Sequence, residues 1–232
     1  MRARTSLAGH ILGSHPSING YFEMHISYED GSALERQLEL LQRHERLKEG
    51  SRYLFDKLLH DDYRLLPDQL GPTDTKILVS LLEPERSIRS IVALFRQKKT
   101  RAPYASAPEA ARYYIERIET LARFARSTPG GYYYYDAASL VDTPEALLSR
   151  LTRWLELDTP LEPRYRLFSQ TGKPRMGDSS GLIRSGRIRR TRSDYSHIEL
   201  PREELVQALD RYRGCRAQLI DHARDSFLST AQ

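Results

Sequence analysis

The sequence predicts an α/β protein in which a mostly parallel sheet is flanked by helices. Short apolar runs at 76–82 and 132–135 alternate with amphipathic helical patterns, and a proline that favours a helix start follows each run. Such alternation is typical of parallel sheets, because the chain must cross back over the sheet before the next parallel strand. With 232 residues the chain suits one domain, and we predict a single domain over residues 1–232.

The first element is predicted to be a helix that begins close to the N-terminus. Thr5 and Ser6 precede apolar residues at positions 7, 11 and 12, and Arg2 stands just before them. A helix start presents unpaired backbone N–H groups and the positive end of the helix dipole, so a phosphate or sulfate can bind there beside hydroxyls and a cation. A basic tail that enters an ordinary capped helix accounts for the same residues, and both interpretations stay open at this point.

The following segments continue the alternation. Residues 18–25 are predicted to form a strand or a strand-like loop, and Ser32 with Glu35 has the spacing of a capping box at the start of a surface helix. The run 76–82 has the length and composition of a buried parallel strand. The remaining predicted elements are a helix from Pro84, a helix from Ser106, a strand of four core tyrosines at 132–135, a helix from Thr143 and Pro144, and a long helix from Pro201.

Composition argues against several classes of site. The single cysteine, Cys215, excludes an internal disulfide framework and a multi-cysteine zinc site, and it favours a reducing compartment. The seven histidines include no His-x3-His pair, so metal catalysis is not expected. No apolar run is long enough for a membrane span and no secretory signal is recognisable, so we expect a soluble, cytoplasmic protein. The net charge of +5 suits an anionic ligand.

Two further groups of residues are candidates for phosphate binding. Arg86 and Ser90 lie four positions apart near the start of a predicted helix and therefore share a face, where a guanidinium and a hydroxyl could hold a phosphate. In residues 183–187 of the later basic loop, backbone N–H groups and the two guanidiniums of Arg184 and Arg187 could clamp a second phosphate. An ordinary surface pair accounts equally well for Arg86 and Ser90, and an ordinary solvated loop accounts equally well for the basic segment.

Two other functions have partial sequence signals in the C-terminal half of the chain. Residues 177–181 match the Gly-x-Ser-x-Gly pattern of serine hydrolases, but that pattern requires a strand before it and a helix after it, and neither is predicted. The basic residues of 184–192 could bind nucleic acid, an interaction that would be steeply dependent on salt. We favour neither function over phosphate binding.

Taken together, the motifs resemble those of the sulfotransferase superfamily, and the chain looks closest to bacterial members. These enzymes transfer a sulfuryl group from 3′-phosphoadenosine 5′-phosphosulfate (PAPS) to an acceptor hydroxyl or amine. At the N-terminus the sequence is similar to tyrosylprotein sulfotransferases. Their Pro-Arg-Ser-Gly-Thr-Thr/Ser loop corresponds to residues 1–6, their Leu-x-x-His-Pro segment to residues 12–16, and the Glu that follows to Glu23.

The resemblance extends to about residue 190. The family's second motif, Arg-x-Pro followed by Ser, corresponds to Leu82, Pro84 and Ser90. Leucine replaces the arginine of the motif, so either Arg86 or Arg89 would have to supply its charge. Residues 177–188 are similar to a late Gly-Asp-x-Ser-x-x-Ile-Arg-x-Gly-Arg-Ile segment of bacterial relatives. In the first loop Arg4 stands where the family has glycine, and the sequence begins inside that loop, without the strand that precedes it in relatives.

The resemblance implies a three-layer, P-loop-like fold with a mostly parallel central sheet and with its N-terminal strand missing. It implies that Glu23 is the general base and that Arg2 stabilises the charge that develops on the donor, with no metal. His25 is the substitute base should Glu23 be buried or salt-bridged. The residues implied to bind PAPS are Arg2, Thr5 and Ser6 at its 5′ end and Arg86, Ser90, Arg184, Ser185 and Gly186 at its 3′-phosphate.

The acceptor is not defined by the sequence. The segments 23–28 and 53–66 are expected to line its pocket, but they carry no specific code, so a small molecule, a carbohydrate, a lipid and a tyrosine-containing peptide all remain open. Nucleic acid is not an expected partner. The departures at Arg4 and Leu82 leave an alternative interpretation, in which the chain is a truncated, catalytically inactive relative or a nucleotide-binding module.

Overall fold

The structure of the chain is a computed structural model that describes residues 2–71, 74–97, 103–169, 171, 182–190 and 194–229. The described residues combine helices with small parallel sheets, which agrees with the α/β class expected from the sequence. The helices and strands are, in chain order, α1 (Thr5–Ser14), β1 (Ile18–Asn19), α2 (Ser32–His44), β2 (Tyr53–Leu54), β3 (Ile77–Leu81), α3 (Pro84–Gln97), α4 (Ala107–Ser127), β4 (Tyr132–Asp136), α5 (Ser139–Asp142), α6 (Pro144–Trp154), α7 (Arg202–Asp221) and β5 (Asp225–Phe227).

The described residues form two compact units. Unit 1 is drawn from residues 1–3, 77–139 and 191–232, and unit 2 is drawn from residues 4–76 and 140–190. Each unit combines early and late parts of the chain, so neither corresponds to one continuous segment. The single domain over 1–232 stays a prediction.

Unit 1 contains a three-stranded parallel sheet in the order β3, β4, β5. β3 pairs with β4 from Ile77 and Tyr132 to Leu81 and Asp136, and β4 pairs with β5 over three residues. Every residue of the central strand β4 is buried, which confirms that its four tyrosines are core residues. The sequence pattern predicted β3 and β4 but not β5.

The helices of unit 1 begin where the sequence predicts them. α3 starts at Pro84, and α4 starts behind Ser106, whose hydroxyl accepts a hydrogen bond from the backbone N–H of Glu109 at 3.4 Å. α7 is tied to the sheet because the hydroxyl of Tyr132 donates to the carbonyl of Leu219 at 2.7 Å. The sheet of unit 1 is therefore flanked by helices.

Unit 2 is built around α1 and two chain segments that run side by side, beginning with the parallel pair β1 and β2. Gly9 and Gly13 of α1 lie directly against the backbone of Tyr21 and Gly20, an approach that a larger side chain would prevent. The ammonium of Lys48 donates to three carbonyl oxygens at and after the end of α1. The bond to Gly13 satisfies one of the carbonyl groups that a helix end leaves unpaired.

Two segments of unit 2 differ in detail from a regular interpretation of the sequence. Of the strand or strand-like loop expected over 18–25, only β1 is a strand, because the backbone leaves the extended conformation at Gly20, where φ is 88°. The capping box expected at Ser32 does not form. Gly31 precedes the first residue of α2, and the Ser32 hydroxyl donates to Asp30 Oδ1 at 2.5 Å instead.

Candidate active site

In unit 1, two residues predicted to bind the sulfuryl donor lie in contact. The Nε atom of Arg2 donates a hydrogen bond to Ser90 Oγ of α3 at 3.0 Å. The next residue, Ala3, is buried against Leu82 and Ala137, which directly follow β3 and β4. Arg2 is therefore held near the carboxyl-terminal edge of the sheet, where ligands of open parallel sheets commonly bind.

Arg86, the other predicted donor ligand on α3, lies beside a carboxylate. Its Nε atom is 3.4 Å from Glu83 Oε1, and its backbone N–H donates to Glu83 Oε2 at 3.2 Å. Burial raises the pKa of the Glu83 carboxyl above its ordinary value, although the hydrogen bond and charge of Arg86 oppose that rise. The start of α3 thus holds an anionic group of the chain itself, close to where the resemblance implies the 3′-phosphate.

In unit 2, α1 begins with a residue in an unusual backbone conformation. Arg4 precedes the helix with φ of 57°, in the left-handed region, and its side chain makes no capping hydrogen bond. The first intrahelical bond at this end runs from Ala8 N to Arg4 O at 3.1 Å, so the backbone N–H groups of Thr5 and Ser6 precede it. The first turn itself contains no acidic residue that would offset the positive end of the helix dipole.

The predicted base, Glu23, lies buried between two histidines of unit 2. Its side chain is 8% exposed, and Oε1 lies 3.8 Å from His25 Nδ1 and 3.7 Å from His60 Nε2. Both histidine side chains reach solvent, with 45% and 43% of their surface exposed. Among the residues that the structure describes, no hydrogen-bond donor reaches Glu23 Oε1.

The two segments that carry this cluster are joined on both sides of it. Asp56 accepts hydrogen bonds from Met24 N and from the Tyr28 hydroxyl, both at 2.9 Å. Further along, Tyr28 N donates to Arg64 O at 2.7 Å, and Tyr28 O accepts from Leu66 N at 2.8 Å. Burial raises the pKa of Asp56 to about 6, and the negative charge of Glu23 acts in the same direction. These pairings hold the parts of 23–28 and 53–66 that were expected to line the acceptor pocket next to each other.

Glu23 is therefore buried and within ion-pair distance of both imidazoles. This is the case in which His25, rather than Glu23, is expected to be the base. His25 was the substitute base, and the structure brings it to Glu23. Sequence reasoning missed His60. Nothing in the local pattern around His60 marks it, and only its position in a segment expected to face the acceptor could have drawn attention to it.

The predicted phosphate clamp at 184–186 belongs to unit 2, whereas Ser90 and Arg86 belong to unit 1. Ile183–Ser185 forms a 3₁₀ turn that ends at Gly186, where φ is 66°. The Ser185 hydroxyl lies within hydrogen-bond distance of the carbonyls of Leu182 and Arg187, at 2.7 and 2.9 Å. The hydrolase-like motif at 177–181 and residues 191–192 of the basic run lie outside the described residues.

Comparison with known proteins adds no assignment of family. No model of a known protein family matches the sequence, and no curated protein sequence matches it. Within the described ranges, no group of three or more His, Cys, Asp or Glu side chains is arranged to hold a metal ion. No helix in the described part of the chain has both the length and the apolar composition to cross a bilayer.

Proposed function

We propose that this protein is a PAPS-dependent sulfotransferase with a three-layer, P-loop-like fold, and that it transfers a sulfuryl group to an acceptor hydroxyl or amine. The observation that carries the proposal is the hydrogen bond between Arg2 and Ser90. The resemblance assigns these residues to the two phosphate-bearing ends of one donor, although they are 88 positions apart in the chain. A guanidinium and a hydroxyl at the carboxyl edge of a parallel sheet suit an anionic nucleotide.

The backbone of Arg4 supports the same proposal. Its φ of 57° lies in a region that glycine adopts readily and that other residues seldom adopt. Sulfotransferases have glycine at the corresponding position of the phosphate loop. The backbone here has the conformation that such a glycine would favour, even though the residue is different.

The chain's own groups then have distinct roles. PAPS supplies an activated sulfuryl group, and the acceptor is a small molecule, a carbohydrate, a lipid or a tyrosine-containing peptide. The resemblance assigns stabilisation of the negative charge on the donor to Arg2 and removal of the acceptor's proton to the cluster around Glu23, so catalysis would depend on positioning, electrostatics and one base. The proposed donor ligands are Arg2, Thr5, Ser6, Arg86, Ser90, Arg184, Ser185 and Gly186.

Calorimetry with 3′-phosphoadenosine 5′-phosphate (PAP), the product of the donor, tests this proposal. We expect PAP to bind with a micromolar to millimolar Kd. Arg2→Gln should weaken binding at least about tenfold, because a hydrogen bond from a charged group contributes roughly 1.5–3 kcal/mol. Arg96→Gln, which removes a guanidinium from the opposite end of α3, is the matched control and should leave Kd unchanged. Loss of affinity in both variants alike would contradict the assignment of Arg2.

A second candidate function is a catalytically inactive relative or a nucleotide-binding module. It is favoured by Glu83, whose carboxylate lies against Arg86 at the start of α3. An anion fixed there repels a phosphate and offsets the charge of the arginine. PAP binding without transfer from PAPS to any acceptor would favour the module, and the absence of PAP binding would favour the inactive relative.

A further inference from the structure

We propose that the proton acceptor is a histidine–carboxylate dyad in unit 2, in which His25 is the base and Glu23 is the buried group that orients it. The existence of the dyad does not depend on the proposed function, but its role as the base of sulfuryl transfer rests on it. The proposal changes the role of Glu23 from a catalytic residue to a positioning residue.

The side chains of Glu23 and His25 differ in their exposure to solvent. A general base has to approach the acceptor hydroxyl to within hydrogen-bond distance. Glu23 is 8% exposed and its Oε1 atom is inaccessible, whereas 45% of the His25 side chain faces solvent. The imidazole can therefore meet an acceptor that the Oε1 atom cannot reach.

The orientation of the ring suits this role. Nδ1 of His25 is the atom that lies 3.8 Å from Glu23 Oε1, within ion-pair distance. Nε2 is on the opposite edge of an imidazole ring, so the carboxylate does not occupy it. A carboxylate beside Nδ1 favours the tautomer that carries its proton there, which leaves the lone pair of Nε2 to accept a proton.

The backbone holds His25 in a conformation that it would not otherwise prefer. Its φ is 57°, in the left-handed region, and such residues cluster at functional sites. Two contacts lie at or next to this residue. The preceding residue, Met24, donates its N–H to Asp56, and the ring of Tyr63 lies 5.6 Å from the His25 ring.

His60 is the second imidazole that faces the same carboxylate. Its Nε2 atom lies 3.7 Å from Glu23 Oε1. When protonated it stabilises the negative charge of Glu23, which Asp56, the other nearby carboxylate, opposes. We assign His60 to pairing with the Glu23 carboxylate rather than to receiving the acceptor's proton.

The transfer step balances with these groups. A lone pair of the acceptor oxygen forms a bond to the sulfur of PAPS, and the bond from sulfur to the bridging phosphate oxygen breaks with its electron pair left on that oxygen. The acceptor's proton passes to Nε2 of His25. The imidazolium that results is stabilised by Glu23 and returns its proton to solvent.

Histidine ¹⁵N NMR on the full chain at about pH 8.5 tests the dyad without any substrate. We expect neutral His25 to carry its proton on Nδ1 in the wild-type protein and to revert to the Nε2–H tautomer in Glu23→Leu. His60→Gln is the matched control and should leave the His25 tautomer unchanged. An Nε2–H tautomer in the wild type, or an Nδ1–H tautomer that persists in Glu23→Leu, overturns the dyad whether or not PAP binds.

Release of PAP from PAPS tests the catalytic role. His25→Gln should lower the rate by about 10²-fold or more, as expected for loss of a general base, and His60→Gln should lower it less. His197→Gln, at an exposed histidine of unit 1, should retain the wild-type rate. A wild-type rate in His25→Gln overturns the role of His25, and failure of PAP to bind contradicts the proposed function but leaves the NMR result on the dyad in force.

Discussion

Arg216 of α7 holds the carboxylate of Asp136, the last residue of β4, by two hydrogen bonds of 2.8 and 2.7 Å. The Tyr134 hydroxyl and the backbone N–H of Ser229 donate to the same carboxylate, each at 2.8 Å. Burial alone would raise the pKa of Asp136, but these hydrogen bonds and the charge of Arg216 lower it below its ordinary value. One carboxylate therefore joins the central strand of unit 1 to α7 and to the segment after β5.

Removing that charge should destabilise the protein. Asp136→Asn leaves Arg216 without its ionic partner, and breaking a largely buried pair from one side typically costs about 3–5 kcal/mol. Because the folded-state pKa of Asp136 is lowered, its contribution to stability is present at neutral pH and is lost as the pH falls into the acidic range. We expect the free energy of unfolding in urea at pH 7 to fall by roughly that amount, and the difference between the two proteins to shrink in acid.

The control for this prediction is a surface ion pair of the same unit. Arg211 and Glu119 lie 3.6 Å apart with both side chains substantially exposed, and such pairs contribute at most about 1 kcal/mol. Arg211→Gln should therefore change the urea midpoint little. An equal loss of stability in both variants would show that Asp136 has no special role.

The elements that the sequence predicted are those whose signals are local. β3 and β4 are apolar runs next to proline or glycine, and Ser106 with Glu109 satisfies its capping pattern within four residues. β5 pairs over only three residues, and its side chains are half-buried or exposed, so it exists because β4 offers a free edge. Whether a strand has a free edge depends on tertiary structure, so the local sequence pattern could not predict β5.

The residues of the candidate site also fall into those that the sequence predicted and those that only tertiary structure brings in. Arg2, Ser90 and Glu23 were named from motif spacing, and the structure brings the first two into contact. His60 reaches Glu23 only through the pairing of two segments that lie far apart in the sequence. Arg86 was predicted as a phosphate ligand from helical spacing and from the resemblance, and neither could reveal that Glu83 lies beside it.

The carboxyl of Asp56 should make the stability of the protein depend on pH in the acidic range. Its folded-state pKa is raised to about 6 by burial, so the folded protein binds more protons than the unfolded chain between about pH 4 and pH 6. The free energy of unfolding should therefore fall as the pH rises through that interval. We expect a decrease of roughly 1–3 kcal/mol, since the side chain keeps partial access to solvent.

Urea denaturation at several pH values measures this decrease. Asp56→Asn keeps the shape of the side chain and its acceptor for Met24 N–H, and it should remove the decrease between pH 4 and pH 6. Asp68→Asn, at an exposed aspartate of the same unit, is the control and should follow the wild-type protein. A wild-type pH profile in Asp56→Asn would contradict the assignment.

Because α1 packs closely against the segment around Gly20 and Tyr21, the glycines of α1 should not tolerate a larger residue. A Cβ atom at Gly9 would lie 2.5 Å from the carbonyl oxygen of Tyr21, and backbone atoms there cannot move aside cheaply. Gly9→Ala should cost at least about 1–3 kcal/mol of folding stability, as overpacking does. At Gly214 of α7 no atom lies within 4 Å of an added Cβ, so Gly214→Ala should stabilise the helix by about 0.5–1 kcal/mol. Thermal unfolding of the two variants should shift in opposite directions, and a shift in the same direction would contradict the packing of α1.

The left-handed backbone at Arg4 leads to a comparison of two variants at one position. Arg4→Gly and Arg4→Ala both remove the side chain, so its contacts cancel in the difference between them. Because φ is 57°, we expect Arg4→Gly to be more stable than Arg4→Ala by about 1 kcal/mol, the reverse of the order inside a helix. Gln42, an exposed residue of α2, should show the ordinary order, with Gln42→Ala more stable than Gln42→Gly. Urea denaturation of the four variants measures both differences. A preference for alanine at both positions would mean that residue 4 is not left-handed in solution. That result would also remove the support that the backbone of Arg4 gives to a phosphate-binding loop.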